Sequence, residues 1–120
     1  MSRVMVVDDE ADVLDTLAGI LTQAGHTVVK AHSGIEALDF LDRGVPLDLV
    51  LTDVLMPGLN GFNLARMAKT RRPSLKVLYL TGFSQRAEVM ADQGEKYGKL
   101  LTKPILPDDL RREIAAALTP

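Results

Sequence analysis

Five short apolar segments of the chain alternate with longer segments whose apolar residues recur at the spacing of an α-helix. The short segments are rich in valine and leucine, which is typical of strands buried on both faces. Strands and helices that alternate in this way predict a parallel sheet with helices packed on both sides. The predicted strands are Arg3–Val7, Thr27–Ala31, Leu47–Thr52, Lys76–Thr81 and Lys99–Thr102.

The helical segments carry recognisable start and stop signals. Ser33 and Glu36 have the spacing of a capping box, which predicts the start of the second helix there. Gly25 and Gly44 provide the usual C-terminal stops for the first and second helices. The first helix is predicted over Ala11–Ala24, the third from Asn60 or Gly61 to Arg71-Arg72, and the last from Pro107 to Leu118; residues 82–98 predict only a short, irregular helix.

The connections between parallel strands restrict the order of the strands in the sheet. Right-handed crossovers leave few arrangements, and the order 2-1-3-4-5 places strands one and three side by side at a topological switch point. The predicted fold is therefore α/β, a flavodoxin-like (βα)5 three-layer sandwich with a parallel sheet. A chain of 120 residues is long enough for one such domain and too short for two.

Polar residues follow the predicted strands at the sheet edge where α/β folds bind their ligands. Asp8 and Asp9 follow strand one, Asp53 follows strand three, and Thr81 and Lys103 lie at the ends of strands four and five. Close carboxylates repel one another, so either one of them takes up a proton or a divalent cation binds. Oxygen ligands suit Mg²⁺, which would make Asp53 a usable nucleophile towards a phosphoryl group. Lys103 can then neutralise phosphoryl oxygens, and Thr81 can donate a hydroxyl.

The composition excludes several other kinds of site. There is no cysteine, and hence no disulfide, thiol catalysis or cysteine-ligated zinc. A net charge of -2 gives no general reason to bind nucleic acid or an anionic membrane. The apolar runs are too short to span a membrane, and the acidic residues from position 8 onward do not fit a signal peptide. A cytoplasmic location is therefore expected.

The chain resembles a response-regulator receiver domain, the CheY-like phosphoacceptor of two-component signalling. The resemblance rests on Asp8-Asp9, the segment Asp53–Gly61, Thr81 and Lys103-Pro104, which occur in order and at family-like spacing. It implies a single receiver domain over residues 1–120 that accepts a phosphoryl group from a sensor histidine kinase or a histidine phosphotransfer protein. It also implies a downstream protein partner, with no direct contact to nucleic acid or membrane, and it allows dimerisation. Enzymatic activity would be limited to weak self-catalysed phosphoryl transfer and aspartyl-phosphate hydrolysis.

The resemblance implies a metal-binding role for four residues, one of which is the acceptor. Asp53 would be the phosphoacceptor and would also bind Mg²⁺. Asp9 would bind the ion directly, and Asp8 would act partly through water. The backbone carbonyl of Leu55 would complete the ligands that the protein supplies.

The resemblance also implies roles for the residues that surround the phosphoryl group. Lys103 would pair with that group, and Thr81 would swing to bond it. Pro57 and Gly61 would shape the supporting loop. The peptide bond before Pro104 would be cis, an arrangement that requires a proline.

One departure from the family pattern affects the expected output. Many members carry an aromatic residue three positions before the lysine, where it rotates together with the threonine. The corresponding residue here is Leu100, so an aromatic switch cannot operate at this position.

Two other kinds of function compete with a phosphorylated switch. The first is a non-phosphorylated interaction module on the same fold, against which the complete acidic set and Lys103 argue. The second is a flavin-binding protein or enzyme of flavodoxin-like fold. In place of a phosphate-binding loop, strand one is followed by Asp8-Asp9-Glu10, which would repel a flavin phosphate.

Overall fold

The computed structural model describes residues 2–82 and 97–119 of the chain. Five parallel strands form one sheet in the order β2-β1-β3-β4-β5. The predicted flavodoxin-like sandwich is therefore confirmed. The strands are β1 (Arg3–Val7), β2 (Thr27–Ala31), β3 (Leu49–Thr52), β4 (Lys76–Thr81) and β5 (Gly98–Thr102), and the described helices are α1 (Ala11–Gln23), α2 (Gly34–Asp42), α3 (Gly61–Arg71) and α4 (Pro107–Leu118). The irregular helix predicted within residues 82–98 falls mostly outside the described residues.

Both faces of the sheet are buried, which explains why its central strands are apolar throughout. Along β1, Val4 and Val6 face the core under α1 and α4, whereas Met5 and Val7 face the core under α2 and α3. A third, smaller cluster lies on the second face beside β4. Its buried members are Val54, Phe62, Ala65, Val77 and Tyr79.

Two strands begin one or two residues away from their predicted first residues. β3 begins at Leu49 and not at Leu47, and just before it the Asp48 carboxylate accepts the Arg3 N–H at 2.8 Å. β5 begins one residue early, at Gly98. Neither difference moves the carboxyl ends of the strands, which carry the candidate site.

Side-chain caps fix the starts of α2 and α3. The Ser33 hydroxyl accepts the Glu36 N–H at 3.0 Å, and the Asn60 side chain accepts the Asn63 N–H at 2.9 Å. The Glu36 carboxylate accepts the His32 N–H at 3.1 Å. In a capping box it would accept the N–H of the N-cap residue, which here is Ser33. Of the helices in residues 2–82 and 97–119, none combines the length and apolar character that a membrane span requires.

Candidate functional site

Three carboxylates meet at the carboxyl edge of the sheet. β1 and β3 are neighbours, and Val7 pairs with Thr52, so the residues that follow both strands lie close together. One carboxylate oxygen from each of Asp8, Asp9 and Asp53 lies within 4.8 Å of the others. Asp8 is 1% exposed and Asp53 is 8% exposed, whereas Asp9 faces solvent. The cluster is therefore closed by the sheet on one side and open on the other.

The Asp53 side chain is held by contacts to both of its oxygens. The Val54 N–H donates to Oδ1 at 2.7 Å, and the Lys103 ammonium lies 3.4 Å from Oδ2. The Asp53 N–H donates to the Val7 carbonyl at 2.9 Å, which continues the pairing of β3 with β1. The carboxylate thus has a defined direction before any ligand binds.

Lys103 reaches across the end of β4 to the acidic cluster. Its ammonium donates to Asp8 Oδ2 at 2.9 Å, which is shorter than its distance to Asp53. Its backbone N–H donates to the Thr81 carbonyl at 2.8 Å, and its peptide bond to Pro104 is cis. Lys103 therefore connects the ends of β1, β3 and β4, and Asp8 is the closer of its two carboxylate partners.

The charges at the site shift the pKa values of Asp53 and Lys103. Burial raises the pKa of the Asp53 carboxyl; Lys103 opposes this effect and Asp8 adds to it. Burial alone would lower the pKa of Lys103, but its hydrogen bonds and charge interactions with Asp8 and Asp53 together raise it. The site therefore favours a charged Lys103 and opposes ionisation of Asp53.

The other predicted site residues occupy different parts of the same edge. Thr81 is fully buried at the end of β4, where it pairs with Thr102 at the end of β5. Leu55 is half-buried and packs against the cluster that contains Val54, while Pro57 is exposed. Gly61, the first residue of α3, lies directly against the Asp53 carbonyl.

Leu100 packs beside a buried aromatic pair on the second face of the sheet. It pairs with Tyr79 in the register of β4 and β5, and both contribute to the cluster around Val54. The Tyr79 and Phe62 rings meet edge to face, with centroids 4.9 Å apart. Burial raises the pKa of the Tyr79 hydroxyl, and Tyr97 adds to the effect. The strand position opposite Leu100 therefore carries a fixed, neutral aromatic residue.

Thr52 also contributes to the site, although the strand pattern assigns it no such role. Its hydroxyl donates to the Asp53 main-chain carbonyl at 2.8 Å, and the residue is completely buried. The signal that points to it in the sequence is a hydroxyl residue at the end of an otherwise aliphatic strand, directly before an acidic one.

The arrangement is suited to binding a divalent cation and to nucleophilic attack by a carboxylate. The oxygens of Asp8, Asp9 and Asp53 offer the hard ligands that Mg²⁺ prefers. Asp53 is oriented by the Val54 N–H, and its Oδ2 lies 3.4 Å from the Lys103 ammonium. A metal ion there would offset the repulsion among the carboxylates.

Neutralising Asp53 is expected to stabilise the metal-free protein at neutral pH. Because the pKa of Asp53 is raised on folding, the folded chain holds that proton more tightly than the unfolded chain does. The free energy of unfolding therefore falls as the pH rises from about 4 through the pKa of Asp53 in the folded protein. Above that pKa, ionisation of Asp53 lowers it no further. Asp53→Asn lacks this ionisation. At pH 7 its free energy of unfolding should therefore exceed that of wild type by on the order of 1 kcal/mol.

Urea denaturation with EDTA at several pH values between 4 and 8 measures this difference. The advantage of Asp53→Asn should shrink as the pH approaches 4. Asp39→Asn is the matched control, because Asp39 forms an exposed ion pair with Arg43 on α2 and should contribute less than about 0.5 kcal/mol. Equal stability of Asp53→Asn and wild type at pH 7 would contradict the expectation.

Comparisons with known proteins agree with this geometry. Residues 4–115 match the family model described as the response regulator receiver domain. The response regulator receiver protein CpdR of Brucella abortus is 34% identical over 118 residues, which cover 98% of both chains. The response regulator MprA of Mycobacterium avium is 34% identical over 116 residues, covering 97% of this chain and 50% of MprA. This chain therefore spans about half the length of some relatives and nearly all of others.

A solved structure supports the same assignment at the level of the fold. The response regulator protein TrrA of Thermotoga maritima, crystallised in complex with Mg²⁺ and beryllium fluoride, has a TM-score of 0.84 and 28% sequence identity. The match covers 98% of this chain and all of TrrA, 100%. Sheet order, acidic cluster, family model and relatives agree, and the resemblance drawn from the sequence is confirmed: the chain belongs to the response regulator receiver domain family.

Proposed function

We propose that the chain is a phosphorylation-dependent switch with Asp53 as its acceptor. A sensor histidine kinase or a histidine phosphotransfer protein donates the phosphoryl group, and the modified domain changes its affinity for a downstream protein. The observation that carries the proposal is the Asp53 carboxylate itself. It is held between the Val54 N–H and the Lys103 ammonium, inside a cluster of three carboxylates.

We propose Mg²⁺ as the cofactor. The side chains of Asp8, Asp9 and Asp53 would hold it, together with the backbone carbonyl of Leu55. The chemistry of this oxygen-only set fits the ion, and the Mg²⁺ bound in the similar protein TrrA supports the choice. When bound, the ion supplies positive charge to both the acceptor carboxylate and the phosphoryl oxygens.

In phosphoryl transfer, the residues of the site mainly orient the reacting groups and neutralise their charge. An Asp53 oxygen forms a bond to phosphorus while the bond from phosphorus to the donor's imidazole nitrogen breaks, and the imidazole keeps the electron pair. The Lys103 ammonium, already beside Asp53, donates to a phosphoryl oxygen. The Thr81 hydroxyl donates to another. Hydrolysis later returns inorganic phosphate and free Asp53, so the activity is a slow self-catalysed cycle and not turnover of a separate substrate.

We propose that residues 1–120 act as a single receiver unit. The family match over residues 4–115 and the one continuous sheet support this. The unit would act in the cytoplasm, where kinases of this class supply the phosphoryl group. It could also dimerise. Pro57, Gly61 and Pro104 support the loops around the acceptor. Leu100 takes part in the output without the rotation of an aromatic ring.

Intact-mass measurement after incubation with acetyl phosphate and Mg²⁺ tests the proposal. Wild type should gain the mass of one phosphoryl group, and EDTA should prevent the gain. Asp53→Asn should gain nothing, whereas the surface variant Asp39→Asn should behave as wild type. If a cognate kinase and acetyl phosphate both leave wild type unmodified, the switch fails and a non-phosphorylated interaction module becomes the better account.

A further inference from the structure

We propose that the Thr52 hydroxyl is a positioning group for the phosphoacceptor, acting through the peptide plane that joins Asp53 to Val54. This inference rests on the proposed function of Asp53. It adds a residue whose hydroxyl bonds the main-chain oxygen of Asp53 and not a carboxylate oxygen. It acts only through the backbone.

One rigid peptide group carries both of the contacts involved. The Thr52 hydroxyl donates to the Asp53 carbonyl at 2.8 Å, and the Val54 N–H donates to Asp53 Oδ1 at 2.7 Å. That carbonyl and that N–H are the two ends of a single planar amide. Rotation of the plane about its ends therefore moves both groups together, and a bond that fixes the carbonyl also aims the N–H at the carboxylate.

A second close contact confines the same carbonyl. Gly61 packs against it so closely that a Cβ on Gly61 would lie 2.2 Å from the oxygen. The Gly61 N–H donates to the Val54 carbonyl at 2.8 Å, which fixes the next peptide group. The Asp53 carbonyl thus contacts both the Thr52 hydroxyl and the first residue of α3.

Complete burial makes the hydroxyl difficult to replace. Thr52 is 0% exposed, so bulk water does not have access to its place beside the Asp53 carbonyl. A variant without the hydroxyl leaves that carbonyl short of a donor, and the plane is free to turn. The direction of the Val54 N–H then varies, and with it the orientation of the Asp53 carboxylate. Since reactivity depends on that orientation, phosphorylation should slow by roughly five- to tenfold.

Three variants separate the hydroxyl from the packing of the side chain. Thr52→Val keeps the shape and removes the hydroxyl, and Thr52→Ser keeps the hydroxyl and removes a methyl group. Thr22→Val is the matched control, because the Thr22 hydroxyl donates to the Ala18 carbonyl at 2.7 Å within α1. Two quantities are measured: the rate of phosphorylation by acetyl phosphate with Mg²⁺, and the amide ¹H–¹⁵N resonance of Val54 in the unmodified protein.

We expect Thr52→Val to be phosphorylated slowly and to show a displaced Val54 amide resonance. Thr52→Ser and Thr22→Val should have a phosphorylation rate and a Val54 resonance close to those of wild type. A wild-type rate in Thr52→Val overturns the proposal, as does a Thr52→Ser that is equally slow. If Thr52→Val does not fold, Thr52→Ala takes its place in the same comparison. If wild type itself gains no phosphoryl group, the proposed function fails, and the Val54 resonance alone decides whether Thr52 positions Asp53.

Discussion

Lys103→Met is expected to lower the free energy of unfolding by about 2 kcal/mol in the absence of divalent cations. The ammonium of Lys103 lies 2.9 Å from Asp8 and 3.4 Å from Asp53, and both carboxylates are almost completely buried. Methionine keeps the length of the side chain but leaves these carboxylates without their cation. The cost stays below that of a fully buried pair because the Lys103 side chain is 22% exposed.

The same variant should respond more strongly than wild type to Mg²⁺. The ammonium lies 2.9 Å from Asp8 Oδ2, so it competes with a metal ion for the negative charge of that carboxylate. Without Lys103 the ion binds without this competitor and restores the lost charge balance. Phosphorylation should nevertheless fall by about 100-fold, since no fixed cation remains for the phosphoryl oxygens. Tighter metal binding combined with slower transfer distinguishes this role from a general loss of structure.

Urea denaturation with and without Mg²⁺, followed by intact-mass kinetics, measures these effects. Lys30→Met is the matched control, because Lys30 forms an ion pair with Asp15 in which both side chains are about half exposed, 48% and 64%. That variant should change stability by less than about 1 kcal/mol and leave phosphorylation unaltered. If Lys103→Met unfolds with the wild-type midpoint in EDTA, Lys103 does not balance the buried carboxylates.

The convergence of the acidic residues and the lysine was predictable from the sequence. Each of Asp8, Asp53 and Lys103 ends an apolar run, and all the strands of a parallel sheet end at the same edge. Strand order then decides which ends are neighbours. The right-handed crossover rule leaves few orders, and the structure confirms the flavodoxin-like one, in which β1 lies beside β3.

The finer contacts of the site were not predictable in this way. Lys103 and Asp8 are 95 residues apart in sequence, and the shorter of the lysine's two ion pairs depends on side-chain torsions that no local pattern encodes. The hydroxyl of Thr52 is a similar case. The preference of threonine for strands already explains a threonine at this position. Only the backbone geometry shows that its hydroxyl donates to the Asp53 carbonyl.

The aromatic core beside Leu100 depends on register between strands. The sequence shows that position 100 lacks an aromatic residue, but not which residue lies opposite it. The pairing of β4 with β5 places Tyr79 there, where Phe62 meets it edge to face. Leu100 therefore packs in a cluster with an aromatic residue that β4 supplies, a contact that the pattern of a single strand does not reveal.

Gly61→Ala is expected to destabilise the protein by about 3 kcal/mol and to slow phosphorylation. A Cβ at this position would lie 2.2 Å from the Asp53 carbonyl oxygen and 3.0 Å from Val54 Cα. Both neighbours are backbone atoms of the loop that carries the acceptor, so no side chain can rotate away to relieve the clash. Either α3 retreats from the sheet, or the peptide plane after Asp53 turns and disturbs the carboxylate.

Gly19→Ala separates this close approach from the general effect of replacing a glycine in a helix. Gly19 is exposed within α1, and a Cβ there would meet no atom within 4 Å. That variant should be more stable than wild type by roughly 0.5–1 kcal/mol, because alanine favours the helix. The two substitutions are chemically identical, so opposite shifts in the urea midpoint assign the loss at Gly61 to contact with the Asp53 peptide. A phosphorylation rate that falls only in Gly61→Ala would show that this contact also sets the geometry of the acceptor.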